Sequence, residues 1–191
     1  TASSNISSFI ADHPDMRACH LGGKNVLLES GALDLETCLR DKGFHIQFST
    51  QKLDKKYPEE VKLNAIYTKG VCIAHKQYTD SKIIAHALQH LSKLIWVRQG
   101  YIKCSVALVA PNVFITSDKG IAKCLSDAGA KCLLIIPGYI KLPGYNTGFI
   151  GGTCFLMDPH TLCFNGNLAL HPDGENIKRW CAQYGVDVVS V

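Results

Sequence analysis

The sequence lacks a long apolar run and any signal of export. Its longest strongly apolar run, Cys132 to Ile136, is far shorter than the ~20 residues that span a bilayer. The segment Thr1 to Ser8 has neither the basic nor the apolar part of a signal peptide. We therefore expect a cytoplasmic protein that does not associate with membranes.

Charged residues are also few, at 19% of the chain, and the formal net charge is only +4. The densest basic group, Lys52, Lys55 and Lys56, lies beside Asp54 and other acidic residues. Because no basic stripe with interleaved aromatic residues exists, we expect no nucleic-acid partner. The stretch from Lys52 to Lys62 is typical of a solvated connector.

Cysteines are numerous, but they lack the spacing of a disulfide framework or a metal site. There are nine, an odd number, with no C-x-x-C pair, and seven of them lie inside apolar runs. Buried free cysteines behave as small apolar residues. We therefore expect reduced thiols, no metal and no cofactor.

What the sequence does contain is a repeated pattern. Apolar residues make up 47% of the chain, which is ordinary for a globular domain. Four segments each show an extended apolar run, an Asp, a helical pattern and another extended run. The four aspartates are Asp34, Asp80, Asp118 and Asp173. Their uneven spacing is typical of a supersecondary repeat with loops of varying length.

The third repeat shows the pattern most clearly. Ser105 to Val109 and Val113 to Thr116 are predicted strands, joined by a turn at Pro111-Asn112. Asp118 is expected to cap a helix that ends at Gly129. Cys132 to Ile136 is then a buried strand, because it is continuously apolar. The predicted order is strand, strand, helix, strand.

The other repeats follow the same order, although the first is shorter and begins at Val26. We predict an α/β fold in which repeats at approximately 20–49, 62–98, 104–137 and 151–191 form one domain over residues 1–191. Arranged around an axis, with helices outside, such units make an α/β-propeller. A three-layer α/β sandwich with a mixed sheet is the alternative.

This pattern resembles the blade of the guanidino-group-modifying enzymes, the penteins, which are propellers of five such units. Gly151-Gly152-Thr153-Cys154-Phe155-Leu156, a turn, and Leu162 to Gly166 are similar to a Glu-Gly-Gly-Asp strand pair of these enzymes. Runs such as Gly100 to Ser105 resemble an uncharacterised bacterial branch of the superfamily. The blade resemblance covers most of the chain after Gly22.

The resemblance implies chemistry in which a cysteine attacks a guanidinium carbon, a histidine transfers protons and carboxylates hold the cation. Two residues depart from the family pattern, because Ile150 stands in place of the Glu and Thr153 in place of the Asp. Both departures remove negative charge from the expected guanidinium site.

Four residues are candidates for catalysis. Cys104 is the cysteine least like a core residue, and its neighbour Lys103 could lower the pKa of its thiol. His20 and His171 are candidate acid/base groups, and Asp118 is a candidate orienting group. Each also has a purely structural interpretation, such as a half-buried thiol for Cys104 and a helix cap for Asp118.

A second group of residues is expected to contact a ligand. The glycine-rich stretch Leu142 to Gly152 is typical of a tight loop whose backbone approaches either a neighbouring repeat or a ligand. No helix follows it, which disfavours a phosphate site. The candidate ligand-binding residues are Tyr145, Asn146, Gly151, Gly152, Asn165 and Asp173.

Together these observations favour a cysteine-dependent hydrolase or transferase that acts on a small guanidino or amino compound. A non-catalytic small-molecule-binding or scaffold protein on the same fold is the alternative, favoured by the missing Glu and Asp. An incomplete ring would expose sheet edges, so a homo-oligomer is a further expectation.

Overall fold

The computed structural model describes residues 5–6, 10–11 and 13–191. The chain divides into two compact units, Thr1–Ile102 and Lys103–Val191. Within the described ranges, none of the helices combines the length and the apolar character needed to cross a membrane.

The first unit contains two repeats of the predicted kind. The first repeat holds α1 (Pro14–Arg17), β1 (Ala18–His20), β2 (Asn25–Leu28), α2 (Leu33–Asp41) and β3 (His45–Phe48). The second holds β4 (Ile66–Thr68), β5 (Val71–His75), α3 (Ser81–Gln89) and β6 (Lys93–Val97). The first repeat is therefore complete, and its short strand β1 was missing from the sequence-based prediction.

The second unit also contains two repeats. The third repeat holds β7 (Val106–Ala110), β8 (Val113–Thr116), α5 (Lys119–Asp127) and β9 (Lys131–Leu134), and it is preceded by the helical turn α4 (Ile102–Ser105). The fourth holds β10 (Cys154–Asp158), β11 (Thr161–Phe164), α6 (Gly174–Gln183) and β12 (Asp187–Ser190). The strand predicted to start at Ser105 begins one residue later, because Ser105 ends the helical turn α4.

Each of the four repeats forms its own three-stranded sheet, and the four sheets have the same topology. In each, the first strand pairs antiparallel with the second, and the second pairs parallel with the third. The helix connects the two parallel strands, as a parallel pair requires. The middle strand has neighbours on both sides and is the most buried, as in Val113–Thr116, where every residue is buried. The predicted order strand, strand, helix, strand is confirmed. The buried strand expected over Cys132 to Ile136 is wrong in detail, because β9 covers Lys131–Leu134 and none of its residues is fully buried.

The core of the second unit joins its two repeats. One face of the third sheet packs in a single cluster with the fourth sheet and α6, through Ala107, Ile115, Leu162 and Ile177 among others. On the amphipathic helix α5, Ile121 and Leu125 are buried. The repeats thus stabilise each other by burying the apolar faces that each would otherwise expose.

The predicted solvated connector is only partly correct. Residues 54–57 are exposed, but Glu60, Val61 and Leu63 are buried in the first unit. The many charged residues of this stretch suggested full exposure. The apolar residues at 53, 61 and 63 are nevertheless buried and anchor the segment, while its lysines remain at the surface.

Candidate functional site

A cavity lies at the carboxyl ends of the parallel strands β2 and β3, the edge at which open α/β sheets commonly bind ligands. Its volume is about 820 Å³. The residues that directly follow the two strands form much of its wall, together with the start of α3. It is lined by Asn5, Glu29, Ser30, Gly31, Phe48, Ser49, Thr50, Gln51, Lys52, Leu53 and Lys82.

Glu29 gives this cavity an acidic group that is held in a fixed position. The residue is buried, and its Oε2 pairs with Nε of Arg17 at 3.0 Å. The Asn5 amide donates to Oε1 at 3.1 Å. Arg17 is also buried and reaches Asp34 at 3.5 Å. Because both carboxylate oxygens already have donors, the Glu29 carboxylate is oriented before any ligand arrives.

Lys82 supplies a positive charge to the same cavity. Its ammonium donates to the Phe48 carbonyl at 2.6 Å, which draws it toward the end of β3. The start of α3 is fixed by Asp80, which accepts from the Lys82 backbone N–H at 2.8 Å. The Ser49 hydroxyl lies 2.5 Å from the other oxygen of Asp80. Helix α3 is thereby bound to the chain that leaves β3.

The cavity therefore combines an acidic and a basic side chain with hydroxyl and amide groups. This arrangement suits a small compound that carries both a positive and a negative group. Among the residues described by the structure, no cluster of three or more His, Cys, Asp or Glu side chains could hold a metal ion. The sequence-based reasoning missed this cavity. The available signal was Glu29, a charged residue directly after the buried Val26-Leu27-Leu28.

The predicted nucleophile, Cys104, was expected to be the cysteine least like a core residue, but it lies in the helical turn α4 and is buried. Lys103, expected to act on Cys104, donates from its ammonium to the Gly151 carbonyl at 3.2 Å. Burial raises the pKa of the Cys154 thiol to about 12, and the positive charge of Lys103 only partly offsets this effect.

Other cysteines are poor nucleophiles at neutral pH. Burial raises the pKa of the Cys72 thiol to about 12 and those of Cys132 and Cys181 to about 11. The reactive thiolate is therefore scarce at these positions. All nine cysteines lie in the described part of the chain, and none of them forms a disulfide.

The structure brings together two of the predicted site residues, His171 and Asp173. The Asp173 backbone N–H donates to Nδ1 of His171 at 3.0 Å. Nδ1 is therefore the acceptor, and Nε2 carries the proton in the neutral ring. His20 lies in the first unit, exposed, with Nε2 3.0 Å from the Gly23 carbonyl. Asp118 accepts from the Ile121 backbone N–H at 2.9 Å and caps α5.

The glycine-rich stretch contacts its own unit. A Cβ on Gly151 would lie 2.1 Å from the Lys103 carbonyl oxygen and 2.4 Å from that of Val106. Only glycine fits there, because two backbone segments meet. This favours the neighbouring-repeat interpretation of Gly151. Gly152 and Tyr145 are exposed, and Asn146 lies in the loop between them.

Asn165 lies at the carboxyl end of β11, in the fourth sheet. Its backbone N–H donates to the Thr153 carbonyl at 2.7 Å, which extends the pairing of β10 and β11 by one residue. It directly follows β11, so it occupies the position in the fourth repeat that Glu29 occupies in the first.

Solved structures with the same fold are enzymes of the pentein superfamily, which confirms the predicted resemblance. SxtG, an amidinotransferase from Microseira wollei in the saxitoxin biosynthetic pathway, has a TM-score of 0.51 at 11% identity, over 94% of this chain and 64% of its own. The C. jejuni agmatine deiminase has a TM-score of 0.54 at 11% identity, over 87% of this chain and 60% of its own. A DDAH mutant from Pseudomonas aeruginosa complexed with citrulline has a TM-score of 0.53 at 10% identity, over 94% and 70%.

At this identity the likeness shows the fold alone. The chain spans less than two thirds of the length of the first two of these enzymes. No curated protein matches the sequence significantly. The model of a family of unknown function, DUF6873, matches residues 1–191.

Proposed function

We propose that this chain, which belongs to the family of unknown function DUF6873, binds a small compound carrying both an amino or guanidino group and an anionic group. The binding site is the cavity at the ends of β2 and β3. The observation that carries the proposal is the pre-oriented Glu29 carboxylate in a cavity that also receives the Lys82 ammonium.

Glu29 and Lys82 would bind opposite charges of the ligand. Glu29 accepts from Asn5 and Arg17, and because a carboxylate oxygen can accept more than one hydrogen bond, it offers acceptors of the kind that an ammonium or guanidinium group requires. Lys82 presents further donors to a carboxylate, in addition to its bond to Phe48. Hydrogen bonds to charged groups contribute about 1.5–3 kcal/mol each. Loss of the interaction with either Glu29 or Lys82 should therefore weaken binding by about tenfold or more.

The likeness in fold supports an amino or guanidino group as the cationic part of the ligand, since the solved structures with this fold include an agmatine deiminase and an amidinotransferase. On the same grounds we propose that the four repeats are blades of a pentein-type propeller within one domain. Cysteine-dependent hydrolysis or transfer is the second candidate function, with Cys104 as nucleophile, His171 or His20 as acid/base and Asp118 as orienting group.

Calorimetric titration with L-arginine, L-ornithine, guanidinoacetate and agmatine tests the proposal. Agmatine carries cationic groups without the carboxylate. Lys82→Met should weaken a zwitterionic ligand about tenfold while leaving agmatine unaffected. Glu29→Gln should weaken both kinds of ligand. Lys178→Met, the same change on exposed α6, is the matched control.

The proposal is wrong if none of the four compounds binds to the wild-type chain, or if Lys82→Met binds the zwitterionic ligands as tightly as wild type does. Circular dichroism checks that the Glu29 variant folds, because the buried Arg17 loses one of its two carboxylate partners in that variant. Release of ammonia or of a new amine during the titrations, abolished in Cys104→Ser, would support the catalytic candidate.

A further inference from the structure

A second cluster of unusual side chains lies in the first unit, at the carboxyl ends of the parallel strands β5 and β6. His75 ends β5, Tyr78 lies in the turn after it, and Tyr101 lies in the chain that leaves β6. Tyr57 joins them from the connector between β3 and β4. This edge corresponds to the edge of the first sheet where the cavity of the proposed function lies, but its residues are different.

The three tyrosines form a continuous aromatic surface. The Tyr57 ring meets Tyr78 edge-on, with ring centroids 5.7 Å apart, and meets Tyr101 at 5.9 Å with planes tilted by 33°. His75 stacks on Tyr78 with centroids 3.9 Å apart and nearly parallel planes. Although it lies within this cluster, the Tyr57 side chain is 49% exposed, so part of the aromatic surface is open to solvent.

Two features hold these rings in place. Nδ1 of His75 accepts from the backbone N–H groups of Gln77 and Tyr78, at 3.1 and 3.2 Å, which fixes the imidazole under the Tyr78 ring. A Cβ on Gly100 would lie 2.8 Å from the Tyr57 ring and 2.9 Å from Val61. Glycine at this position therefore leaves the space that the Tyr57 ring occupies.

A buried carboxyl group lies against this surface. Glu60 is only 4% exposed, and the Tyr101 hydroxyl donates to its Oε1. Within residues 5–6, 10–11 and 13–191, no lysine or arginine forms an ion pair with Glu60. The neighbouring Lys62 instead pairs with Glu59 and donates to the Lys52 carbonyl at 3.0 Å. A buried carboxylate without a cation is costly, and a bound cation would remove that cost.

The cluster has no positive charge of its own that would repel such a cation. Burial lowers the pKa of His75, so the imidazole is neutral at pH 7. The faces of the tyrosine rings are electron-rich and attract cations. Glu60 is the acidic residue of the cluster, and the ring faces provide apolar contact area.

We propose that Tyr57, Tyr78, Tyr101 and Glu60 form a second binding site, for a methylated ammonium group. A guanidinium or a primary ammonium needs several hydrogen-bond acceptors when it is desolvated, and here the one carboxyl group of the cluster is already bonded to a phenol. A fully methylated, quaternary ammonium group has no N–H and needs none, and its methyl groups pack on aromatic faces. The site is independent of the Glu29 cavity.

Titration with tetramethylammonium chloride at constant ionic strength, followed by calorimetry, tests this site. We expect saturable binding to the wild-type chain, and weaker binding of guanidinium under the same conditions. Tyr57→Leu should weaken tetramethylammonium binding by about fivefold or more, and Tyr57→Phe should retain it within about twofold, because the ring face remains. Glu60→Gln should weaken it by a similar factor.

Two controls separate this site from other effects. Tyr139→Leu removes an exposed tyrosine of the second unit and should leave binding unchanged. Lys82→Met should also leave it unchanged, so failure of the Glu29 cavity and failure of this site give different results. Tyr57 is partly exposed, so its variants should fold even if Glu60→Gln does not. No saturable binding to wild type, or equal binding by Tyr57→Leu, would overturn the proposal.

Discussion

Four aspartates at similar places in four repeats turn out to have different roles. Asp80 and Asp118 accept backbone N–H groups of their own helices, as the predicted capping role requires. Asp34 lies inside the first turn of α2 and reaches Arg17. Asp173 precedes α6 but does not cap it, since its Oδ2 accepts from the Ile136 backbone N–H at 2.7 Å. The local pattern is the same, and the difference is set by partners distant in sequence.

The role of Asp173 predicts a dependence of stability on pH. The Ile136 N–H, the Asn176 amide and the nearby His171 lower the pKa of Asp173, against the opposing effect of burial. A carboxyl group with a lowered folded pKa stabilises the fold above its unfolded pKa of about 3.9, and this contribution is lost as the pH falls through the folded pKa. Asp173→Asn should therefore cost about 1 kcal/mol above pH ~5.

The measurement is urea unfolding of wild type and Asp173→Asn between pH 3 and 7. The difference in free energy of unfolding should shrink as the pH falls below about 4. Asp127→Asn, on the exposed side of α5, is the matched control. A difference that stays constant over the whole range would show that the Asp173 carboxylate has no stabilising role.

Among the structural elements, the repeats were predictable because their signals are local. Alternation, turn residues and terminal glycines gave the order strand, strand, helix, strand. Gly43, Gly129 and Gly185 all end their helices with positive φ, as predicted for this position. Strand β1 was missed because it has only three residues and no alternation to detect.

The candidate site was less predictable than the fold for a physical reason. Glu29 becomes a site residue through its contacts with Arg17 and with Asn5, 24 residues away in sequence. Glu60 likewise becomes part of a candidate site through its hydrogen bond with Tyr101, 41 residues later. Composition and spacing report neighbours along the chain, whereas a binding site is assembled from the ends of different strands.

The second repeat breaks the glycine rule and gives a testable consequence. Leu91 occupies the position after α3 that glycine holds in the other three repeats, with a φ of 53° and 93% exposure. A left-handed conformation costs a non-glycine residue about 1–2 kcal/mol, while glycine adds an entropic cost of about 0.5–1 kcal/mol. Leu91→Gly should therefore stabilise the protein by about 0.5–1 kcal/mol.

Thermal and urea unfolding would measure this gain. Leu88→Gly, at an exposed position inside α3, is the matched control and should destabilise by about 1 kcal/mol, since its helical conformation favours other residues. If Leu91→Gly and Leu88→Gly destabilised the protein equally, the left-handed position would carry no strain that glycine relieves.

For the whole chain, the notable feature is an apolar face that the fourth sheet leaves open. In the third sheet, the face formed by the same positions of the repeat is buried in the core of the second unit. Residues at the same position in the two repeats therefore differ sharply in exposure. The buried set of the third sheet is Ala107, Val109 and Ile135, and its counterparts in the fourth are Phe155, Met157 and Val191. These counterparts are 55%, 62% and 69% exposed.

An exposed apolar face of this kind favours association. We expect the 191-residue chain to self-associate through it as its concentration rises, with sedimentation velocity as the measurement. The double variant Phe155→Lys/Met157→Lys should remain monomeric, because burying two lysines against a second copy costs more than the apolar contacts gain. Leu88→Lys, an equally exposed leucine on α3, should associate like wild type. If the double variant associates as wild type does, the contact lies elsewhere on the molecule, and the open face of the fourth sheet does not drive assembly.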